Sequence, residues 1–254
     1  MELWTSEHAK TLAPALVCML ALSVVLRKLL RDKPLHIRMI PVQILTVFLI
    51  LLEIGKQTVS FSRGYDLYHI PLHYCSLVLF TMPLMAFYRG KYRQTVNAVT
   101  TTFCTAMTLL TVIYPNLIYS AGNIQNFFGD YLDFHTVAFH NAVIWICFLI
   151  IALDLHTVQP MGEVKTIVTV TTVFCVISAS TAHILQTNYA NFYSCNIPPL
   201  EEVRLSIRQI IGVVPTQILY AMIVSVLTIL FTIMCYWLYR WVKSFIKPTQ
   251  KITV

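Results

Sequence analysis

The chain has 254 residues, 57% of them hydrophobic and only 11% charged, with a net charge of +7 and a mean hydropathy of +0.70. Soluble domains carry about 25% charged residues, so most of this chain cannot face water. The positive charges fall in short stretches beside apolar runs, with no basic stripe interleaved with aromatics, which argues against nucleic acid as a partner and for membrane lipids.

Apolar runs close to 20 residues long recur along the sequence, each able to cross a hydrocarbon core of roughly 30 Å as a helix. They are continuous rather than alternating, which selects helices over a barrel. The expected fold class is all-α: a polytopic bundle of about seven transmembrane helices in a single domain over 1–254, with spans at 11–26, 39–60, 70–88, 95–114, 134–153, 165–187 and 215–239. Before the first span stand Glu2 and Glu7 rather than a positive n-region, so this run reads as a retained helix and not as a signal peptide. After Pro198 and Pro199, apolar residues at Leu200, Val203, Ile207, Ile210 and Ile211 alternate with Glu201, Glu202, Arg204 and Arg208. That spacing suits an interfacial helix over 200–211.

Orientation follows from the loops. Thirteen Lys and Arg residues fall in one alternate set (Arg27, Lys28, Arg31, Lys33, Arg38, Arg89, Lys91, Arg93, Lys165, Arg240, Lys243, Lys247, Lys251) against four in the other (Lys10, Arg63, Arg204, Arg208). The excess places the first set in the cytoplasm, and seven spans then put the N-terminus outside and the C-terminus inside.

Ionisable groups inside spans carry a functional hypothesis, and here they gather toward the outer ends. Span two brings Glu53, Lys56 and Gln57, span three His69, His73 and Cys75, span five Asp133, His135 and His140, and span six His183, Gln186, Asn188 and Tyr189. The inner halves of the same helices are almost wholly apolar. Glu53 and Lys56 are three apart and close enough to pair, which by itself would serve only to fix helix packing. His69 and His156 read as ordinary interfacial histidines.

A thiol with a nearby imidazole permits nucleophilic acyl transfer, because the thiolate attacks and the imidazole generates it. Cys75 is the candidate nucleophile, four residues after Pro71, which suits a first helical turn. His140 is the candidate base, with His73 and His135 as competitors. On a continuous helix positions 73 and 75 point about 200° apart, so His73 is not expected to touch Cys75, whereas His140 comes from another helix with Thr136 one turn before it. Three histidines and a carboxylate could instead ligate zinc, but no short ligand spacing such as HExxH supports this, so neither metal nor cofactor is expected. A Cys75–Cys195 disulfide is a third option. Cys18, Cys104, Cys147, Cys175 and Cys235 lie in spans without CxxC spacing and read as small apolar residues.

The run Pro71-Leu72-His73-Tyr74-Cys75-Ser76-Leu77 resembles the "PLHLCSL" signature of YwaF-like bacterial integral membrane proteins. Phe134-His135-Thr136 with Phe139-His140, the "TNY" of Thr187-Asn188-Tyr189, and the "EIGKQ" from Glu53 to Gln57 follow the same family order. The resemblance implies a bacterial plasma membrane location and, through distant animal relatives similar to multi-pass lipid acyltransferases, a phospholipid acyltransferase with Cys75 as nucleophile and His140 as base. It implies that Asn188 and Tyr189 position the lipid or polarise its carbonyl. His183 departs from the pattern, standing where another polar residue is usual. The competing expectation is a small-solute transporter or binding protein using the outer polar cavity. Such proteins place their site at the midplane between repeated halves, and the sequence has no repeat.

Overall fold

In the computed structural model, which describes residues 3–157 and 162–246, the described residues form helices and no strand. The helices are α1 (Ser6–Leu30), α2 (Leu35–Ser62), α3 (Ser76–Phe87), α4 (Arg93–Ile113), α5 (Pro115–Ile118), α6 (Ala121–Gln125), α7 (Tyr131–Ala152), α8 (Gly162–Leu185), α9 (Pro198–Ile211) and α10 (Val213–Ser244). Six of them, α1, α2, α4, α7, α8 and α10, are long and apolar enough to cross a membrane.

Side-chain hydrogen bonds fix which helix ends lie together. Arg27 near the end of α1 donates to Ala152 O (2.5 Å), and Arg38 near the start of α2 donates to Leu153 O (2.7 Å), so both satisfy carbonyls at the C-terminus of α7. Those carbonyls have no intrahelical partner, and a cation there also opposes the helix dipole. Asn97 of α4 donates to Leu155 O, Gln43 of α2 to Ala86 O of α3, and Tyr236 of α10 to Glu163 of α8, while Lys243 of α10 pairs with Asp154. One end of the bundle therefore holds the C-termini of α1, α3, α7 and α10 with the N-termini of α2, α4 and α8. The opposite end is tied by Trp4 Nε1 to Val112 O (3.0 Å), by His8 Nε2 to Tyr119 O (2.8 Å) and by Arg63 to Asp130 (2.6 Å). Over the described residues the chain passes the bundle seven times, α3 included, so that the start of α1 and the end of α10 lie on opposite sides. The Lys- and Arg-rich stretches collect at one end, as the loop count requires; Lys247 and Lys251 lie outside the described residues.

The innermost helices are α4 and α7. Buried Thr100, Thr102 and Thr105 make α4 look polar, but each hydroxyl donates to the carbonyl four residues back, so the helix carries its own partners into the core. Met39, Leu49, Met82, Met85, Phe103, Ile146 and Ile150 fill the space around it. The outward faces of α1, α2 and α10 expose Val17, Leu29, Ile44, Leu51, Leu227 and Trp237, apolar as a lipid-facing surface must be.

The third pass departs from expectation. The helix begins at Ser76, not near residue 70, and at ~1.5 Å per residue its 12 residues reach about 18 Å, well short of a bilayer core. Residues 64–75 complete the pass as a strap with one 3-10 turn, Leu67–His69. Pro71 lies in this strap rather than in a first helical turn, and the 200° separation of positions 73 and 75 does not apply. Non-helical backbone at this depth is tolerated only where protein satisfies it. Here Tyr189 donates to Leu67 O (2.5 Å), His73 to Tyr68 O (3.0 Å), Gln57 to His69 O (2.9 Å) and Ser178 to Leu72 O (3.0 Å). Tyr74 is held by Thr232 of α10 (2.8 Å).

Between α9 and α10 the backbone turns at Gly212, with φ +86° and ψ 174°, a region essentially closed to residues with a Cβ. No neighbouring atom lies within 4 Å of an added Cβ, so Gly212→Ala isolates the backbone cost. It should destabilise the purified protein by about 1–3 kcal/mol, read as a lower melting midpoint, and an unchanged midpoint would show that the turn is not constrained. Tyr189→Phe and Ser178→Ala should each remove about 1 kcal/mol and speed labelling of Cys75 by a thiol reagent, resolved by peptide mass spectrometry. Unchanged labelling in both would mean the strap does not depend on these contacts.

Candidate functional site

At the end of the bundle opposite the Lys- and Arg-rich loops lies a cavity of about 770 Å³. Glu53, Lys56, His69, His73, Cys75, His135, His140 and Asn188 all line it, so α2, the strap, α7 and the segment after α8 do deliver their polar residues to one chamber. Gln57 does not line it but reaches Glu53 (2.7 Å) and the strap. Tyr189 and His183 stand apart from it. Tyr189 is fully buried, with its hydroxyl committed to Leu67 O and its ring 5.6 Å from that of His73, while His183 lies against Tyr193.

Cys75 immediately precedes the first residue of α3 and is half-buried. The shortness of α3 places that start within the bundle. His140, 7% exposed on α7, donates from Nδ1 to Thr136 O (2.6 Å). A carbonyl only accepts, so the proton of the neutral ring sits on Nδ1 and the tip nitrogen Nε2 keeps its lone pair. In His73 and His135 the tip nitrogen is already engaged as the donor, to Tyr68 O and to Glu53 (3.2 Å). His140 is thus the one of the three whose tip nitrogen is not already engaged.

Glu53 is more than the partner of Lys56. Its carboxylate receives Lys56 (2.9 Å), Gln57 and His135, joining α2 to α7, while Gln57 carries the connection on to His69 O and Ser60 holds His69 Nδ1 (2.6 Å). Buried charges persist when they are paired and their remaining lone pairs bonded, and this group meets both conditions. It fixes the wall on which His135 stands and the strap that leads to Cys75.

The far wall is apolar. Leu219, Ile223 and Leu227 of α10 line the cavity and are also exposed at the surface, so the chamber opens sideways toward hydrocarbon. Beneath it Met107, Leu110, Phe139 and Phe231 form the floor. The segment 186–191 closes one side with left-handed backbone at Gln186, Ala190 and Asn191. Asn188 Oδ1 steadies it by accepting from the backbone N–H groups of Tyr193 and Ser194, and Tyr220 donates to Asn191 O.

α9 also faces the cavity, through Leu200, Val203, Arg204 and Ile207. Arg204 is 7% exposed and its guanidinium binds Glu201 through Nε (2.8 Å) and Nη2 (2.5 Å); each holds the other charged, the Glu201 carboxyl below and Arg204 above its ordinary value. Glu201 further accepts from Cys195 N. In the sequence, the amphipathic pattern of 198–211 signals the helix, but nothing marks Arg204 apart from Arg208.

The described cysteines, Cys75 and Cys195 among them, are free thiols, which removes the disulfide option. Among the described residues no group of three His, Cys, Asp or Glu side chains is placed to hold a metal ion.

No curated protein and no solved structure matches the chain. The TMEM164 family model matches residues 3–239. This is an animal-type transmembrane family and not the bacterial YwaF-like one, so the motif resemblance pointed to the wrong family and the bacterial membrane inferred from it falls with it. Its span across nearly all seven passes identifies the chain as a multi-pass membrane protein belonging to the TMEM164 family.

Proposed function

We propose that this protein transfers acyl groups between membrane lipids, with Cys75 as nucleophile and His140 as general base. The observation that carries this reading is the chamber itself: a thiol at a helix N-terminus and an imidazole with a free tip nitrogen line one cavity that opens toward lipid.

The sequence of steps balances without a cofactor. Cys75 loses its proton to His140 Nε2 as its sulfur attacks the ester carbonyl of a donor lipid. The tetrahedral intermediate collapses, the C–O bond to the lysolipid breaks, and the departing alkoxide takes the proton back from the imidazolium. An acyl-thioester on Cys75 remains. The hydroxyl of an acceptor lysolipid then attacks it, giving its proton to His140, and collapse returns the thiol and a new ester. His135, paired with Glu53, fixes the neighbouring wall. An apolar wall facing hydrocarbon limits competing water, which favours transfer over hydrolysis. Asn188 and Tyr189 act by holding the backbone around the chamber, since their polar atoms are engaged with Tyr193, Ser194, Asn196 and Leu67.

The transporter alternative requires a polar path through the other half of the bundle. Among the described residues that half packs Met82, Met85, Phe103, Ile146 and Ile150, each fully buried, and its buried polar residues Asn97, Thr100, Thr102 and Glu163 are bonded to backbone or to Tyr236, which favours the enzymatic reading.

Reconstituted protein should exchange a labelled acyl chain between phosphatidylcholine and a lysophospholipid. Cys75→Ala should abolish exchange and the trapped thioester, and His140→Ala should slow exchange by about 100-fold or more, within the range general bases contribute. Wild-type rates in both variants would remove the proposal.

A further inference from the structure

Arg204 presents a built site that the acyl-transfer chemistry leaves unused. Its side chain lines the cavity, is more than nine-tenths buried, and spends Nε and Nη2 on Glu201, whereas Nη1 is covered and has no hydrogen-bond partner. A buried guanidinium N–H without an acceptor is costly. The group is also preset: Glu201 clamps two of its nitrogens, Tyr220 lies under it at 5.5 Å, and Glu201 is itself anchored by Cys195 N. Guanidinium forks of this kind suit phosphate oxygens.

The surroundings narrow the class of anion. On α9 the cavity-facing positions are Leu200, Val203, Arg204 and Ile207, a helical stripe that is apolar apart from one cation. Across from it stands the apolar, surface-exposed wall of α10. A soluble anion has no use for such walls. A glycerophospholipid has use for both, and its polarity matches that of the chamber: phosphate at the interfacial helix, ester carbonyls further in, where the start of α3 holds Cys75.

We propose that Arg204 is the seat for the phosphate of a glycerophospholipid whose acyl chains lie along α10, so that a phosphate-bearing headgroup selects the substrate. This deepens the acyl-transfer reading and rests on it for the identity of the reaction, but not for the binding itself.

Binding is therefore measured on the full-length Cys75→Ala protein in a phosphate-free detergent, where no acyl transfer can occur. The probes are a fluorescent phosphatidylcholine, the matching fluorescent diacylglycerol, and inorganic phosphate as competitor. The Cys75→Ala protein should prefer phosphatidylcholine by about tenfold or more. Arg204→Ala should reduce that preference to near unity while leaving diacylglycerol affinity unchanged, Arg204→Lys should restore part of it, and Arg208→Ala, at an exposed position on the same helix, should keep all of it. Equal affinity for the two lipids before any change at Arg204 would overturn the proposal even if the Arg204 variants failed to fold. So would a preference that survives Arg204→Ala, or displacement of phosphatidylcholine by inorganic phosphate at comparable concentration. If acyl exchange failed while the Arg204-dependent preference held, the chemistry would fall and the lipid seat would stand.

Discussion

The structure around the cavity depends on one constraint: a stretch of non-helical backbone inside the bundle must have its carbonyls satisfied by protein. The third pass gives up its helix between Gly64 and Cys75, and the carbonyls of Leu67, Tyr68, His69 and Leu72 are met by Tyr189, His73, Gln57 and Ser178. Each of these donors comes from a different place in the chain. Because the strap replaces helix, α3 starts deep, and the thiol at its start reaches a chamber rather than the bilayer surface. Because the donors are polar, three neighbouring elements carry polar residues at the same level. The polar layer is therefore partly a cavity lining and partly a scaffold for the unwound segment.

That division explains what the sequence could and could not convey. Charge deficit, run length and loop charges expose the seven passes and their common positive end, and apart from the third pass, whose helix starts six residues late, the observed helix ends fall within about five residues of the expected spans. The convergence of His73, Cys75, His135 and His140 was visible as polar groups at one depth on separate helices. Roles within the layer were not visible. Tyr189 and Asn188 stand in a motif that suggests substrate contact, yet their polar atoms serve the backbone, a distinction that depends on three-dimensional partners. The strap was hidden because Ile70 and Leu72 lead toward the apolar run of α3 and Pro71 is a residue equally suited to a first helical turn. Arg204 was hidden because an arginine on an amphipathic helix normally faces water. The family was misassigned because short motifs built from His, Cys and Pro recur wherever such a layer is needed, whereas the family match weighs the whole chain.

The opposite end follows a different logic. There Arg27, Arg38 and Lys243 act as staples, two on the terminal carbonyls of α7 and one on Asp154 just beyond them. The residues that set orientation during insertion thus also tie the finished bundle, and α7, which carries His135 and His140, is the helix they secure. A stable α7 in turn gives Glu53 a fixed partner on the cavity wall.

The wiring of the strap also bears on how the molecule is made. Gln57 enters the membrane ahead of the segment it caps, but Ser178 and Tyr189 are synthesised more than a hundred residues after it, with the sixth pass. During biogenesis the Cys75 sulfur is consequently without its final setting until late, and the strap is fully held only in a chain whose assembly is nearly complete. Assembly order itself sets when the thiol of the nascent protein becomes enclosed.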